Sequence, residues 1–271
     1  MQPGIKAPDL NWIYYALSGR LENVTRVVIG GFNPDIDIAT APEDIWPVGG
    51  LMSYYAAAET LEILSASASD TLAGVGARTV VLGVIRGDFT QASIVVNLDG
   101  ITPVSLGADI LRINSGVVLA AGTSRSNVGA LTIRVAGGGA VRGQIPAGYS
   151  VLQQVTYCVP VGMQLQVLTM VIGQGMGGAQ EGIIWAPVVR NIVSGVERMP
   201  FSLPLDIRSA NPYKHTLGHE GPIVVIPAKS EFSMRVLSVG ASNTPVHAAL
   251  LGLLMPEAAW NTIHAQRVIV S

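Results

Sequence analysis

The sequence predicts an all-β protein with two antiparallel, jelly-roll-like β-sandwich domains and an extended N-terminal arm. Hydrophobic residues make up 49% of the chain but aromatic residues only 6%, so most apolar side chains are aliphatic. Runs of Val, Ile and Leu are separated by Gly, Asn, Asp and Pro, and the chain contains 31 Gly. No stretch has the period of a long amphipathic helix. Short β-branched runs between turn residues are typical of antiparallel sandwiches.

The predicted domains follow from where these runs begin and end. Residues 1–56 are expected to be an arm and a loop, residues 57–145 a first sandwich, and residues 146–271 a second sandwich with a short C-terminal helix within 256–266. The boundary lies in a cluster of Gly and Pro at 137–150. The arm includes Trp12, Tyr14 and Tyr15, and we expect these aromatic residues to contact another surface because the arm cannot fold alone.

Individual strands are predicted from the apolar runs. A strand is expected from about Thr60, and others at 77–85, 92–98, 110–121 and 130–136. In the segment EFSMRVLS (231–238) apolar and polar residues alternate. This period predicts a half-buried strand with Glu231, Ser233 and Arg235 on its outer face.

The chain carries little charge. Charged residues are 13% of the total, the formal net charge is −2, and only three of the 16 basic residues are Lys. Interface cores favour Arg over Lys, so we expect other subunits to cover much of the surface. Arg-rich codon usage is the alternative. The sequence has no basic block for nucleic acid, no apolar run of ~18 residues for a membrane, and no signal-peptide pattern.

Two motifs resemble ligand sites only superficially. The segment GQGMGG (173–178) has dinucleotide-type spacing, but β-type residues with Gly182 and Pro187 follow it where a helix would be needed. His215 and His219 are four residues apart, in a segment interrupted by Gly218 and without the Glu of a zinc-protease helix. We predict that both segments are loops and that Cys158 is a small core residue. We expect no cofactor, no metal site and no catalytic site.

Residues 31–50, GFNPDIDIATAPEDIWPVGG, are named here the clamp loop. The acidic residues of this segment have too few aromatic neighbours to form a glycosidase site. We predict that Asp35 and Asp37 cap turn amides and that Glu43 faces a short helical turn over 42–46. Trp46 is predicted to anchor the loop, with its ring buried and its indole N–H bonded. The loop is expected to join the arm to the first sandwich near a contact between chains.

A second loop follows the first predicted strand. The segment SASASDTLAGVGART (65–79) lacks the Lys and the helix of a phosphate-binding loop. Asp70 is predicted to bond backbone amides there.

These two segments carry a resemblance. The chain resembles a family of tailed-bacteriophage virion structural proteins in residues 32–50 and 58–89. The first pattern is matched by Asn33, Asp35, Asp37, Pro42, Glu43, Asp44, Trp46, Gly49 and Gly50. The second is matched by Ser65, Ser67, Ser69, Asp70, Thr71, Gly74, Gly76, Ala77, Arg78 and Thr79. The likeness continues more weakly to about residue 170.

The resemblance implies an assembly function without an active site. The leading hypothesis is a head decoration or cement protein that is made in the host cytoplasm, forms homotrimers, and braces the major capsid protein from the capsid exterior. The trimer is implied by the resemblance alone. A tail or baseplate component, a receptor- or carbohydrate-binding module, and a sandwich-fold hydrolase remain open alternatives.

Overall fold

The computed structural model describes residues 23–55, 57–174, 182–205, 213–216 and 222–259. These residues form seventeen strands and one helical turn at residues 257–259. The strands are β1 (Thr25–Ile36), β2 (Glu43–Asp44), β3 (Glu59–Ser65), β4 (Ala77–Arg86), β5 (Gln91–Asn97), β6 (Val104–Ala121), β7 (Leu131–Val135), β8 (Val141–Ile145), β9 (Thr156–Cys158), β10 (Met163–Gln174), β11 (Ile183–Asn191), β12 (Glu197–Arg198), β13 (Leu203–Leu205), β14 (Tyr213–Thr216), β15 (Val224–Ile226), β16 (Ser230–Val239) and β17 (Thr244–Pro256).

The predicted all-β, antiparallel sandwich class is confirmed. Every pairing between these strands is antiparallel. The C-terminal helix predicted within 256–266 is described only as its first turn. The rest of that segment lies outside the described residues, as do Trp12, Tyr14 and Tyr15.

The strands form three sheets. Sheet A has the order β1-β17-β10-β14, with β15 also pairing β10. Sheet B has the order β12-β11-β16-β2, with β13 and β9 pairing β11 and β16. Sheet C has the order β5-β4-β6-β3-β7-β8 and contains residues 59–145. A single apolar cluster includes residues of sheets A and B, such as Ile172 and Phe232, so these two sheets pack face to face as one sandwich.

Sheet C encloses a second apolar cluster. The 18-residue strand β6 pairs with β3 through its first half and with β4 through its second half. Four register shifts interrupt the β4–β6 pairing. Such bulges bend strands, and here they accompany the curl of sheet C around Leu82, Ile110 and Ile133, which are fully buried.

Residues 25–36 lie in sheet A and residues 43–44 in sheet B. Strand β1 pairs with β17 over ten residue pairs, and Glu43 and Asp44 pair with Val236 and Arg235 of β16. The clamp loop therefore packs on the second sandwich, and the expectation that it joins the first is wrong. The physical reason is that β1 alternates as a half-buried strand and needs a sheet to complete its hydrogen bonding. The domain boundaries themselves stay a prediction.

Candidate functional site

The clamp loop is organised around the Glu43 carboxylate. This side chain is only 3% exposed. It accepts hydrogen bonds from Asn33 Nδ2 at 2.9 Å and from the Gly50 amide at 2.7 Å, and also from the Thr40 hydroxyl. The two ends of the loop are thus bonded to one buried carboxylate, which fixes their separation.

The predicted helical turn over residues 42–46 is wrong. Glu43 and Asp44 are extended, and the Ile45 amide donates to the Met234 carbonyl of β16. The peptide bond between Ala41 and Pro42 is cis. The segment is extended because β16 supplies sheet partners, which a sequence window cannot reveal.

Trp46 is buried as predicted. Its side chain is 4% exposed, and its indole Nε1 donates to the Gly50 carbonyl at 3.0 Å. Asp37 was predicted to cap a neighbouring amide, but its carboxylate accepts the distant Asn243 amide, in the connection between β16 and β17, at 2.9 Å. For Asp35 the prediction is wrong. Its own amide is capped by Asn33 Oδ1 at 3.0 Å, while its exposed carboxylate makes no hydrogen bond within the described residues.

A second buried carboxylate organises residues 65–79. Asp70 is fully buried and accepts hydrogen bonds from the Ser65 hydroxyl and from the amides of Ala77, Val128 and Gly129, at 2.6 to 2.8 Å. A Cβ at Gly76 would lie 2.0 Å from Asp70 Oδ1, so only Gly fits at that position. The prediction that Asp70 bonds backbone amides is confirmed.

Sheets B and C meet at a buried polar junction, which sequence reasoning missed. Arg112 of β6 forms an ion pair with Glu231 of β16, with Nε and Oε2 2.9 Å apart and the two side chains 7% and 4% exposed. Arg112 Nη1 also donates to the carbonyls of Tyr55 and Leu111. Beside this pair, Asn114 of β6 makes two 2.8 Å hydrogen bonds with the backbone of Cys158 in β9.

Further ion pairs surround the junction. Asp44 accepts from Arg235 Nε at 2.8 Å, and Arg235 Nη1 also pairs with Glu197. Arg142 of β8 pairs with Glu59. The guanidinium groups of Arg112 and Arg142 both lie over the Tyr55 ring, at 4.5 and 4.0 Å from its centroid. The short segment between the clamp loop and β3 is thereby held by charges from sheet C.

Burial dominates the electrostatics of the junction. It raises the pKa of the Glu231 carboxyl, and the facing Arg112 guanidinium opposes that shift. Burial also raises the pKa of Asp44, against the effect of Arg235. The pKa of the Tyr55 phenol is raised to about 12 by the same cause.

The outer-face prediction for Glu231, Ser233 and Arg235 is wrong, because residues 230–236 of β16 are buried on both faces. The second face of this strand is covered by Asp44, Tyr54 and Arg112. The available signal was the presence of Glu231 and Arg235 within a strand of a charge-poor chain, since buried charges in strands require partners.

The junction contains a polar cavity of about 20 Å³. It is lined by Met52, Ser53, Tyr54, Tyr55, Arg112, Ile113, Val141, Arg142, Gln154, Thr156 and Glu231. A cavity of this volume has room for a water molecule.

The described residues at the other candidate sites are not arranged for metal binding or catalysis. No group of three or more His, Cys, Asp or Glu in the described part of the chain is placed to hold a metal. His219 and most of the glycine-rich segment at 173–178 lie outside the described residues. Cys158 is buried and free, as predicted. Across the described ranges, no helix is long and apolar enough to cross a bilayer.

One aromatic cluster is partly exposed. Phe32 stacks with Tyr149 and with His247, with ring centroids 5.1 and 5.6 Å apart. The two described tryptophans, Trp46 and Trp185, are both buried. A cluster of exposed Trp and Tyr on one face, which a carbohydrate-binding module would need, is therefore not present among the described residues.

Comparisons with known proteins show no family for this chain. No family model matches it, and no curated protein is significantly similar. Among solved structures, infectious bursal disease virus of the Gx strain is similar at 10% identity, with a TM-score of 0.24 and coverage of 88% of this chain and 73% of that chain. A VP2 subviral particle of the same virus is 8% identical, with a TM-score of 0.14 and coverage of 90% and 75%. TM-scores this low carry no argument about function.

Proposed function

We propose that the chain is a virion structural protein, and more specifically a head decoration or cement protein. One observation carries the proposal. The two segments that resemble tailed-bacteriophage virion structural proteins are the segments that fold around the buried carboxylates of Glu43 and Asp70. Their polar residues therefore have structural tasks, as the resemblance implies for a protein without an active site.

The surface supports a role in assembly. Large apolar side chains are exposed on several strands and loops, among them Val28, Val95, Ile101, Leu119 and Val193, each more than 60% accessible. Exposed apolar residues together with few charges favour association over solubility as a single chain. The proposed partners are further copies of this chain, as a homotrimer, and the major capsid protein.

The proposed action is mechanical and non-enzymatic. Rigid β-sandwiches bonded across a buried ionic junction would transmit load between neighbouring capsomers. The clamp loop, with Trp46 buried beneath it, would hold the contact surface in shape. The capsid exterior is the proposed location.

The test uses particles assembled without this chain. Purified protein is added separately to heads and to tails, and binding is measured by co-sedimentation. Binding to heads, together with a higher temperature of DNA release, supports the proposal. Binding to tails alone would make the chain a tail or baseplate component. Binding to neither, together with affinity for a host polysaccharide, would favour a receptor-binding module and end the decoration proposal.

A further inference from the structure

Strand β5 is a regular edge strand whose outer side pairs with no other strand of the described residues. It is the terminal strand of sheet C and pairs with β4 over seven consecutive residue pairs without a register shift. Its sequence, QASIVVN, contains no charged residue and no Pro. Edge strands in soluble proteins are usually protected by charges, Pro or bulges, because unpaired amides and carbonyls attract other strands. In sheet A, by contrast, the edge strand β1 carries Arg26, Pro34 and a register shift.

The free side of β5 can be assigned to particular residues. The amide of Arg86 donates to the carbonyl of Thr90, and the amide of Leu98 donates to that of Arg78. Antiparallel pairs alternate between hydrogen-bonded and non-hydrogen-bonded, so the even-numbered residues of β5 direct their backbone groups to β4. The odd-numbered residues Gln91, Ser93, Val95 and Asn97 therefore direct theirs away from the sheet.

The exposed face beside this edge is uncharged and carries a row of valines. Val95 is 61% exposed and lies opposite Val81 of β4, which lies opposite Val117 of β6. Val117 in turn bridges to Val151. The neighbouring row is Ser93, Gly83 and Ser115. A partner selected by charge has nothing to recognise on this face.

We infer that β5 pairs antiparallel with β5 of a second copy of this chain, joining two copies of sheet C into one continuous sheet. The register that leaves no outward group unpaired places Ser93 opposite Val95 of the other copy and Gln91 opposite Asn97. Both are pairs of odd-numbered residues, so all outward amides and carbonyls find partners. The arrangement is two-fold and therefore self-complementary, as closed dimer contacts are. In this register the valine row of each copy continues into the Ser93, Gly83 and Ser115 row of the other.

The second copy is favoured over a different protein for two reasons. A neutral edge offers no charge complementarity to another partner, whereas it matches itself in length, in neutrality and in hydrogen-bonding pattern. The chain as a whole is also poor in charge, which favours self-association. Edge pairing buries less than the ~800 Å² per partner of a stable complex, so the contact is weak in isolation and is reinforced within an assembly. The inference goes beyond the proposed function, because a two-fold contact at the edge of sheet C is distinct from the three-fold contacts of a trimer and would join one trimer to another.

The experiment compares Ser93→Pro with Ser93→Ala in the full chain. The Ser93 amide makes no bond to β4, so Pro removes only an outward donor, and a circular dichroism spectrum checks that the fold is retained. Ala keeps the donor. Each two-fold dimer loses two hydrogen bonds in the Pro variant, and we expect sedimentation equilibrium to show dimerisation at least about tenfold weaker than for wild type or Ser93→Ala.

Hydrogen exchange locates the contact independently. The amides of Ser93 and Val95 should exchange more slowly as the wild-type concentration rises towards ~1 mM, while the Val95 amide in Ser93→Pro should not respond. Asp88 and Asp99 flank the strand, so added salt should strengthen the pairing. Equal association of all three proteins, or exchange at Val95 that is independent of concentration, would overturn the inference. Particle binding, which tests the proposed function, is a separate measurement and can succeed or fail on its own.

Discussion

Removing the arginine of the buried junction should destabilise the whole chain strongly. In Arg112→Met the Glu231 carboxylate, 4% exposed, loses the cation 2.9 Å away. The carbonyls of Tyr55 and Leu111 lose their shared donor, and the Tyr55 ring loses one of the two guanidinium groups that lie over it. Breaking a buried ion pair from one side costs about 3–5 kcal/mol. We therefore expect the free energy of unfolding to fall by about that amount.

The double variant Arg112→Met/Glu231→Leu separates the stability contributed by the ion pair from that contributed by the other contacts of each residue. Replacing both charges with apolar side chains often leaves stability unchanged or higher. We expect the double variant to recover most of the loss, which is the coupling that a double-mutant cycle measures. Arg26→Met, at an exposed position of β1, is the surface control and should change stability by no more than ~0.5 kcal/mol.

Urea unfolding followed by circular dichroism measures these differences, and calorimetry adds a second readout. Because Arg112 and Glu231 join sheet C to sheet B, the single variant should also separate the melting of the two parts into two transitions. A single-variant loss below about 1 kcal/mol, with one transition retained, would refute the argument that this buried pair joins the sheets.

The remaining predictions concern the two loops and the buried phenols. Trp46→Ala should lower the free energy of unfolding in urea by about 3–5 kcal/mol, because the ring is buried. Trp46→Phe loses mainly the hydrogen bond to Gly50 and should cost less. Equal melting temperatures of wild type and Trp46→Ala would contradict the anchoring role. Asp70→Ala leaves three backbone amides without their acceptor and should cost at least about 3 kcal/mol, while the exposed Asp35→Asn should leave the melting temperature nearly unchanged. Burial raises the pKa of Tyr55 and of Tyr157 to about 12, above the ordinary value of 10.0, so their stabilising contribution is complete below pH 10 and is lost as the pH rises to about 12. The melting temperature should fall over that interval, and full tyrosinate absorbance at pH 10 in the folded protein would contradict this.

The local features of the fold could be predicted from the sequence, because each is determined within a short window. The strand beginning near Thr60 is found at Glu59–Ser65. The burial of Trp46 and the backbone bonds of Asp70 followed from residue chemistry in irregular segments. Trp46 bonds Gly50 and Asp70 bonds Ala77, both within a few positions, whereas the Val128 and Gly129 amides that also bond Asp70 lie more than 50 positions away and could not be identified.

The junction could not be predicted, because its partners are far apart along the chain. Arg112 and Glu231 are separated by 119 positions, and Arg235 and Asp44 by 191. Alternation along β16 indicates two faces but does not indicate that a second sheet covers the polar one. The same limitation explains the clamp loop, whose Glu43 and Asp44 are extended only because β16 lies beside them.

The ion pairs within the fold further reduce the charge that is free on the surface of this charge-poor chain. Five pairs within the described residues engage four arginines and five carboxylates, in a chain that has only 16 basic and 18 acidic residues. Charges that form ion pairs within the fold contribute little to the electrostatic repulsion between separate molecules in solution. The outer surface is therefore less charged than the composition indicates, and its exposed valines and leucines face solvent with little electrostatic protection. An uncharged edge strand such as β5 is a liability in a solitary protein, but it becomes useful in a protein that functions as one of many identical copies.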